Sequence, residues 1–283
     1  MTRLWAAVAL LTACAREEPP LVSALRDAGP VTVAHRGGMD LAPESTVEAF
    51  QRAWDAGAHA LELDVRYSAD GVPYVFHDDT LDRTTEGEGS VFGLTWDTLS
   101  ALDAGYDWTR DGGETYPFRG QGLTVPALEE VFAGVPDGIF NLDIKSREPD
   151  SVDAVVALIQ DHGLEERVCV GSFDDAIGLS FQEQLPGSCT YYSEGFARWH
   201  LLGDLIPLES APAPRFDLLE VPVMSSGIRI VTERFVERAH ARDQLVWVWT
   251  VNDPDEMDEL LSIGVDGFIT DEVVLSVAKT GAR

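Results

Sequence analysis

The chain has 283 residues, of which 45% are hydrophobic, enough to bury the core of one large domain. Acidic residues outnumber lysine and arginine by 49 to 20, and the formal net charge at pH 7 is −29. A surface this acidic excludes nucleic acid as a partner, because like charges repel. For the same reason it excludes binding to an anionic membrane through the charge of the surface as a whole. An anionic ligand would therefore have to be met by local cations or by a metal ion.

The first fourteen residues have the pattern of an export signal. Met-Thr-Arg at the start is charged, residues 4–11 are apolar, and Leu-Thr-Ala-Cys follows at 11–14. This pattern resembles a bacterial lipoprotein signal; a plain secretory signal or a short anchor is the alternative, although about ten apolar residues are too few to span a bilayer. We expect a signal peptide over residues 1–13, lipidation of Cys14 and a tether within residues 14–30. Such a protein would be secreted across the inner membrane and lipid-anchored in the cell envelope, on its periplasmic or extracellular face.

The first predicted strand ends in a base and a cation. Residues 31–34 form a short apolar run, and Gly37-Gly38 break it at the point where His35 and Arg36 project. A helix is expected around residues 47–56, with Thr46 at its start.

The second predicted strand, residues 60–66, carries two acids on one face. Glu62 and Asp64 are two residues apart, so their side chains point the same way. Alternating acids are usually a solvated face, and further ligands would have to converge on them to make a metal site.

A hairpin is expected directly after this strand. Asp70-Gly71 can supply the positive φ angles of a two-residue type I′ turn. If Ala69 pairs with Val72, counting outward along both strands places His77 directly opposite Asp64. The hairpin would then bring a second histidine to the strand that bears the acids.

The rest of the chain alternates strands with helices. Further strands are expected at 139–144, 168–172, 189–192, 218–221, 245–251 and 267–270, and helices near 151–162, 174–184, 232–243 and 254–262. Strands separated by helical crossovers pair in parallel, and eight of them predict an α/β fold, a (β/α)8 TIM barrel over residues 31–279. Residues 67–123 are a small insertion after the second strand, with a short helix near 96–104. Catalytic groups of such barrels lie at the carboxyl ends of the strands, where His35, Asp64 and Lys145 fall.

Motifs along this framework resemble the glycerophosphodiester phosphodiesterase family. They are His-Arg-Gly at 35–37, Glu-Ser-Thr at 44–46, Glu-Leu-Asp at 62–64, His-Asp at 77–78, Leu-Asp-Arg-Thr-Thr at 81–85, Leu-Asp-Ala-Gly at 102–105, Pro-Ala-Leu-Glu-Glu-Val at 126–131, Asp-Ile-Lys at 143–145, Trp-Thr-Val-Asn at 249–252 and Gly-Phe-Ile-Thr-Asp at 267–271. They occur in the family's order. The chain departs from the family at Ser45, where asparagine is usual, and at Asp143, where the third metal ligand is most often glutamate.

The resemblance and the residue types together suggest a metal site and a catalytic pair. Glu62, Asp64 and Asp143 supply hard oxygen ligands, which suit one divalent metal ion, Mg²⁺ or Ca²⁺. His35 and His77 are the expected acid–base pair. Glu44 is either a further ligand or orienting residue, or an acid that balances the dipole of a helix.

Two cations and an aromatic residue are expected to bind the substrate. Lys145 shares a strand face with Asp143, so it forms either a salt bridge with that acid or, together with Arg36, a phosphate contact. The family's pattern makes Trp249 a wall of the pocket, whereas barrel core is the alternative. Cys169 and Cys189 are either a free buried pair or a disulfide.

The expected activity is metal-dependent hydrolysis of small-molecule glycerophosphodiesters to glycerol 3-phosphate and an alcohol. A phospholipase D or sphingomyelinase-D-like activity on intact or lyso lipids is one alternative, and an apolar rim at the mouth would favour it. A non-catalytic lipoprotein that binds phosphate ligands is the other. The residues leave open the head group, the roles of the two histidines, the nucleophile (water or a neighbouring hydroxyl) and the oligomeric state.

Overall fold

The computed structural model describes residues 17–145, 150–191 and 216–283. The signal predicted over residues 1–13 and the lipidation site Cys14 lie outside the described residues. Of the helices in the described ranges, none is long and apolar enough to cross a membrane.

The helices and strands follow the alternation that the sequence predicts. Within the described ranges the helices α1–α9 are Pro20–Ala28, Val47–Asp55, Trp96–Leu99, Leu128–Gly134, Asp150–Asp161, Asp175–Gln184, Glu233–His240, Pro254–Ser262 and Val273–Thr280. The strands β1–β11 are Val31–Ala34, Ala60–Tyr67, Pro73–Val75, Phe140–Ile144, Val168–Gly171, Cys189–Thr190, Leu218–Pro222, Met224–Ser225, Ile228–Arg229, Leu245–Trp249 and Gly267–Thr270.

Eight of these strands form a closed parallel barrel. Their order is β6-β5-β4-β2-β1-β11-β10-β7, and a parallel bridge between Tyr191 and Leu218 joins the two ends. Within the described ranges, helices connect successive strands and cover the outside, so the predicted (β/α)8 TIM barrel is confirmed. Gly171 on β5 allows the closure, because a Cβ atom there would lie 2.2 Å from the ring of Tyr191.

The barrel interior is apolar at its base and polar towards the carboxyl ends of the strands. Cys169 and Cys189 are paired neighbours on β5 and β6 and form a disulfide within the basal cluster. The sequence had left this pairing open.

Thr46 begins α2 as predicted, since its Oγ1 accepts a hydrogen bond from the Ala49 N–H at 3.2 Å.

The insertion after β2 has a small core of its own. It contains β3, α3 and two isolated antiparallel bridges, Thr80–Ser90 and Asp103–Thr124. Trp108 Nε1 donates to the carbonyl of Met39 at 2.9 Å and ties the insertion to the barrel. The predicted short helix is shorter than expected and ends at Leu99.

The hairpin register differs from the prediction by one residue. Val65 pairs with Val75, and the Phe76 N–H donates to the Asp64 carbonyl at 3.0 Å, so Phe76 rather than His77 lies opposite Asp64. The loop has three residues instead of two: the Ser68 N–H bonds the Val72 carbonyl, and Gly71 has a φ of 87°. A glycine in this conformation closes the common three-residue hairpin, which moves the register by one.

Three helices were not predicted. Pro20–Ala28 falls in the region expected to be a tether, but it forms α1 and buries Leu21, Val22 and Leu25 against the barrel base. The helix Leu128–Gly134 is only seven residues long, too short to show a helical period. The helix Val273–Thr280 begins with two valines, a residue type of low helix propensity.

Candidate active site

A pocket opens at the carboxyl ends of the barrel strands. It gathers the predicted catalytic, metal-ligating and substrate-binding residues, apart from Glu44, together with residues that directly follow β5 and β6 and residues of β7. Its lining comprises His35, Arg36, Glu62, Asp64, His77, Asp143, Lys145, Ser172, Phe173, Tyr191, Glu220, Val221, Pro222, Trp249, Thr250 and Ile269. Trp249 is about one-third exposed and is a pocket wall rather than barrel core.

His35 is oriented by residues that follow the last two strands of the barrel, β10 and β11. Its Nδ1 lies 2.7 Å from Asp271 Oδ1, and Asn252 Nδ2 donates to the other oxygen of Asp271 at 2.7 Å. Asn252 Oδ1 also accepts a hydrogen bond from the Asp271 N–H at 2.9 Å. The two contacts with Asn252 fix the carboxylate of Asp271 in place. With Nδ1 engaged, Nε2 is the nitrogen of His35 that remains for proton transfer.

His77 has an equivalent support from its own neighbour. Its Nδ1 lies 2.6 Å from Asp78 Oδ1, and Arg83 Nε donates to Asp78 Oδ2 at 2.6 Å. Arg66 fixes the backbone of this segment, since its guanidinium donates to the carbonyls of Phe76 at 3.0 Å and His77 at 2.6 Å. The hairpin register was wrong, but these contacts bring His77 into the pocket.

The surroundings move the two histidine pKa values in opposite directions. Burial lowers the pKa of His35, but the hydrogen bond to Asp271 and the charge of Glu62 outweigh it, so the pKa is raised. Burial also lowers the pKa of His77, and there the charges of Arg36 and Lys145 leave the net shift downward despite Asp64 and Asp78. His35 therefore holds a proton more readily than His77.

The three acids lie together on two adjacent strands. Glu62 and Asp64 are on β2, and Asp64 pairs with Asp143 on β4. Burial and the charge of Asp64 raise the pKa of Glu62 to about 7, and burial raises the pKa of Asp143 to about 6 although Lys145 opposes it. Asp64 is also penalised by burial, but Lys145, His77 and Arg36 hold its pKa below the ordinary value.

Lys145 forms the salt bridge that was one of its two predicted roles. Its Nζ lies 2.6 Å from Asp143 Oδ2 and 2.8 Å from Asp64 Oδ1. The same side chain lines the pocket, so a phosphate could also reach it.

Arg36 and Arg83 both donate hydrogen bonds to the buried carboxylate of Glu44. Arg36 Nη1 donates to Glu44 Oε1 at 3.0 Å, and Arg83 donates to both carboxylate oxygens at 2.6 and 2.8 Å. The helix α2 begins only at Val47, so Glu44 is not a first-turn acid that balances its dipole. With both oxygens bound by guanidinium groups, Glu44 orients Arg36.

The donor set fits a hard divalent cation. The buried atoms Asp64 Oδ2 and Asp143 Oδ1 have no hydrogen-bond partner, and carboxylate oxygens are the preferred ligands of Mg²⁺ and Ca²⁺. In the described ranges, however, no three histidine, cysteine or acidic side chains are already gathered as a metal site. Lys145 and Arg36 also place positive charge among the acids, and Arg36 Nε lies 3.4 Å from Asp64 Oδ2.

Sequence reasoning assigned no role to several residues of the site. Asp78, Arg83, Asn252 and Asp271 each stand inside a motif that resembled the family, so the signal was present but unused. Glu220 could have been noticed as a single acid within the apolar segment 218–221.

Cations that can meet a phosphate, beside two histidines supported for proton transfer, are the features of a barrel hydrolase acting on phosphate esters. The comparisons with known proteins agree. The pattern of the Glycerophosphoryl diester phosphodiesterase family matches residues 35–275.

Individual relatives extend this match over most of the chain. A glycerophosphodiester phosphodiesterase of Caldanaerobacter subterraneus subsp. tengcongensis is 31% identical over 261 residues, covering 89% of this chain and 98% of that protein. A glycerophosphodiester phosphodiesterase of Bacillus altitudinis is 30% identical, and the match covers 84% of this chain and 93% of that protein. The crystal structure of a putative glycerophosphoryl diester phosphodiesterase from Silicibacter pomeroyi has a TM-score of 0.75 at 26% identity, covering 93% and 97%. The chain belongs to the glycerophosphoryl diester phosphodiesterase family and is a phosphoric diester hydrolase.

Proposed function

We propose that this protein hydrolyses glycerophosphodiesters to glycerol 3-phosphate and an alcohol. The observation that carries the proposal is the pair of histidines, each held at Nδ1 by a carboxylate, facing one pocket with Arg36 and Lys145. Positioned proton transfer of this kind typically contributes about 10²–10⁴-fold to a rate.

The opposite pKa shifts suggest which histidine is the general acid and which is the general base. His35, whose pKa is raised, would be the acid that gives a proton to the leaving alkoxide. His77, whose pKa is lowered, would be the base that takes a proton from the nucleophile. Neighbouring groups with pKa values pushed apart are the usual sign of such a division.

Glu62, Asp64 and Asp143 would hold one divalent cation, Mg²⁺ or Ca²⁺. A bound cation supplies positive charge that stabilises the phosphoryl oxygens as charge develops on them. Lys145 and Arg36 would bind the same oxygens, as a compact ammonium and a planar guanidinium, respectively.

A second candidate function is hydrolysis of lyso lipids in the manner of phospholipase D. The observation that favours it is the apolar part of the pocket wall, where Phe173 is 55% exposed and Trp249 is 36% exposed. Such side chains could receive an acyl chain that a deacylated phosphodiester lacks.

One assay decides between the two activities. Turnover of glycerophosphocholine, glycerophosphoethanolamine and lysophosphatidylcholine is measured with the form that begins at Ala15, with and without Mg²⁺ or Ca²⁺. The proposal expects the two deacylated substrates to be preferred and chelation to abolish turnover. Preference for lysophosphatidylcholine would favour the second function, and turnover that survives chelation would remove the metal from the proposal.

We also propose that the mature protein is anchored in the cell envelope through a lipid on Cys14, which the Leu-Thr-Ala-Cys pattern at 11–14 supports. Mass spectrometry of the native N-terminus tests this. A mature chain that begins with an acylated Cys14 supports the proposal, whereas an intact Met1 contradicts it.

A further inference from the structure

Glu220 is the acid of the pocket that the proposed chemistry does not use. It lies on β7, whose neighbouring side chains Leu219 and Val221 are buried in the outer core. Alternation along the strand turns Glu220 inward with Leu218, and Glu220 lines the pocket. An acid in this position requires a reason, because Leu218, which faces inward on the same strand, is apolar and fully buried.

Glu220 is held by a hydrogen bond that crosses the barrel. Asn141 Nδ2 donates to Glu220 Oε1 at 2.8 Å, although β4 and β7 are not neighbouring strands. Asn141 is fully buried on β4, two residues before Asp143. The pair therefore forms a polar floor at the level of Glu62, the register partner of Asn141, and beneath Asp64 and Asp143.

Polar atoms at this floor lack partners. Asn141 Oδ1 and Trp247 Nε1 are buried and have no hydrogen-bond partner, and Trp247 is paired in register with Glu220. An unpaired buried polar group is unfavourable, because it has lost its hydrogen bonds to water without replacing them. A small polar ligand that reached the floor would find both donors and acceptors there.

The polar groups around Glu220 are suited to hydroxyl groups. Glu220 Oε1 already accepts a hydrogen bond from the amide of Asn141, and a carboxyl group can accept further hydrogen bonds from hydroxyl groups. The unpaired Asn141 Oδ1 and Trp247 Nε1 add an acceptor and a donor. Val221, Pro222 and Ile269 make part of the pocket wall apolar.

We propose that Glu220 determines specificity by binding the hydroxyl groups of the glycerol moiety at the floor of the pocket. This inference rests on the proposed function. The phosphate chemistry uses the histidines, the three acids and the two cations at the strand ends, so Glu220 remains to recognise the part of the substrate that carries the diol. A site built to bond a hydroxyl group discriminates strongly against an analogue that lacks it.

The test compares two diesters that differ only in the hydroxyl groups, glycerophosphocholine and propyl phosphocholine. In the wild-type protein, kcat/KM should be at least tenfold higher for glycerophosphocholine. In Glu220→Leu this preference should largely disappear, because kcat/KM falls mainly for the hydroxylated substrate. In Glu220→Gln, whose amide keeps a donor and an acceptor, most of the preference should persist.

Two results would overturn the inference: a wild-type protein with no preference, or a Leu variant that loses both substrates equally while its fold is intact by circular dichroism. If the Leu variant does not fold, the same comparison is made with Glu220→Ala, and the wild-type preference alone can still refute the inference. If the wild-type protein hydrolyses neither diester, the proposed function fails. The inference is then decided by calorimetric binding of glycerol 3-phosphate against propyl phosphate to the wild-type and Leu proteins.

Discussion

Asp271 Oδ1 lies 2.7 Å from Nδ1 of His35, although the two residues are 236 positions apart in the chain. They directly follow β11 and β1, which are neighbouring strands of the closed barrel. The contact raises the pKa of His35 against the effect of burial.

Replacing Asp271 with asparagine should lower the pKa of His35. Without the negative charge of Asp271, only the charge of Glu62 would still oppose burial and Arg36, so the imidazole would lose its proton at lower pH. If His35 is the acid, the descending limb of the kcat/KM profile at high pH should move to lower pH. Asp266→Asn, in a second histidine–aspartate pair with His240, is the control and should leave the profile in place. An unmoved limb in Asp271→Asn would show that His35 is not the acid.

Removing either of the histidines proposed as acid and base should lower turnover by at least ~10²-fold. His35→Ala and His77→Ala are measured with glycerophosphocholine, and circular dichroism checks that both fold. His162→Ala is the matched control, because that residue lies 3.9 Å from Glu129, away from the pocket. A wild-type rate in either pocket variant would exclude that histidine from the mechanism.

Asp143 should be required for metal binding. Asp143→Asn keeps the shape of the side chain but removes a charge beside two other acids, so the affinity for Mg²⁺ and Ca²⁺ and the turnover should both fall sharply. Asp143→Glu should retain both, with an altered preference between the two ions. Isothermal titration with each metal gives a readout that does not depend on activity. Unchanged affinity in the asparagine variant would show that Asp143 is not a ligand.

Lys145→Met should weaken inhibition by inorganic phosphate, because the pocket loses one of the two cations proposed to bind phosphate. The only other lysine of the chain, Lys279, pairs with Asp258 outside the pocket, so Lys279→Met is the control. Inhibition that persists unchanged in Lys145→Met would leave Lys145 with only its salt bridges to Asp64 and Asp143.

Arg83→Met should make the fold more sensitive to acid. Burial opposes ionisation of Glu44 and Asp78, but hydrogen bonds from Arg83 outweigh it, lowering the pKa of Glu44 and bringing that of Asp78 to about 2. Such carboxylates stabilise the fold above their unfolded pKa of about 4, and this stability is lost as pH falls through the folded value. The variant should therefore unfold at a higher pH.

The size of this effect is limited by exposure. Arg83 is 44% exposed, so we expect a loss of about 1–3 kcal/mol at pH 7, below the usual cost of breaking a fully buried pair. Arg52→Met is the control: Arg52 is 48% exposed and pairs with Glu48 on the surface of α2. Circular dichroism against pH measures both variants, and equal acid midpoints would contradict the prediction.

The sequence predicted the barrel and the residues of its rim because both depend on local patterns. Short apolar runs define the strands, and the last residues of β1, β2 and β4 necessarily meet at one end of a parallel barrel. His35, Asp64, Asp143 and Lys145 could therefore be placed together from the order of the strands alone.

Contacts set by packing between distant segments could not be predicted in this way. The hydrogen bond between Asn141 and Glu220 joins residues 79 positions apart, and no local pattern encodes it. The hairpin register depended on whether Gly71 closes a loop of two or three residues, and both are common. Lys145 could face either its own acids or a ligand, and only the geometry showed that it bonds Asp64 as well as Asp143.

Lys145 gives the site a counter-ion that is covalently part of the chain. Buried carboxylates without a neighbouring positive charge would oppose folding, yet in the folded barrel the ammonium group lies between Asp64 and Asp143. In proteins whose ion supplies the folding free energy, the chain remains unfolded until the ion arrives. If the three acids hold a divalent cation as proposed, we expect this chain to complete its barrel in an ion-poor medium, so that a shortage of the cation would limit activity without limiting the amount of folded protein.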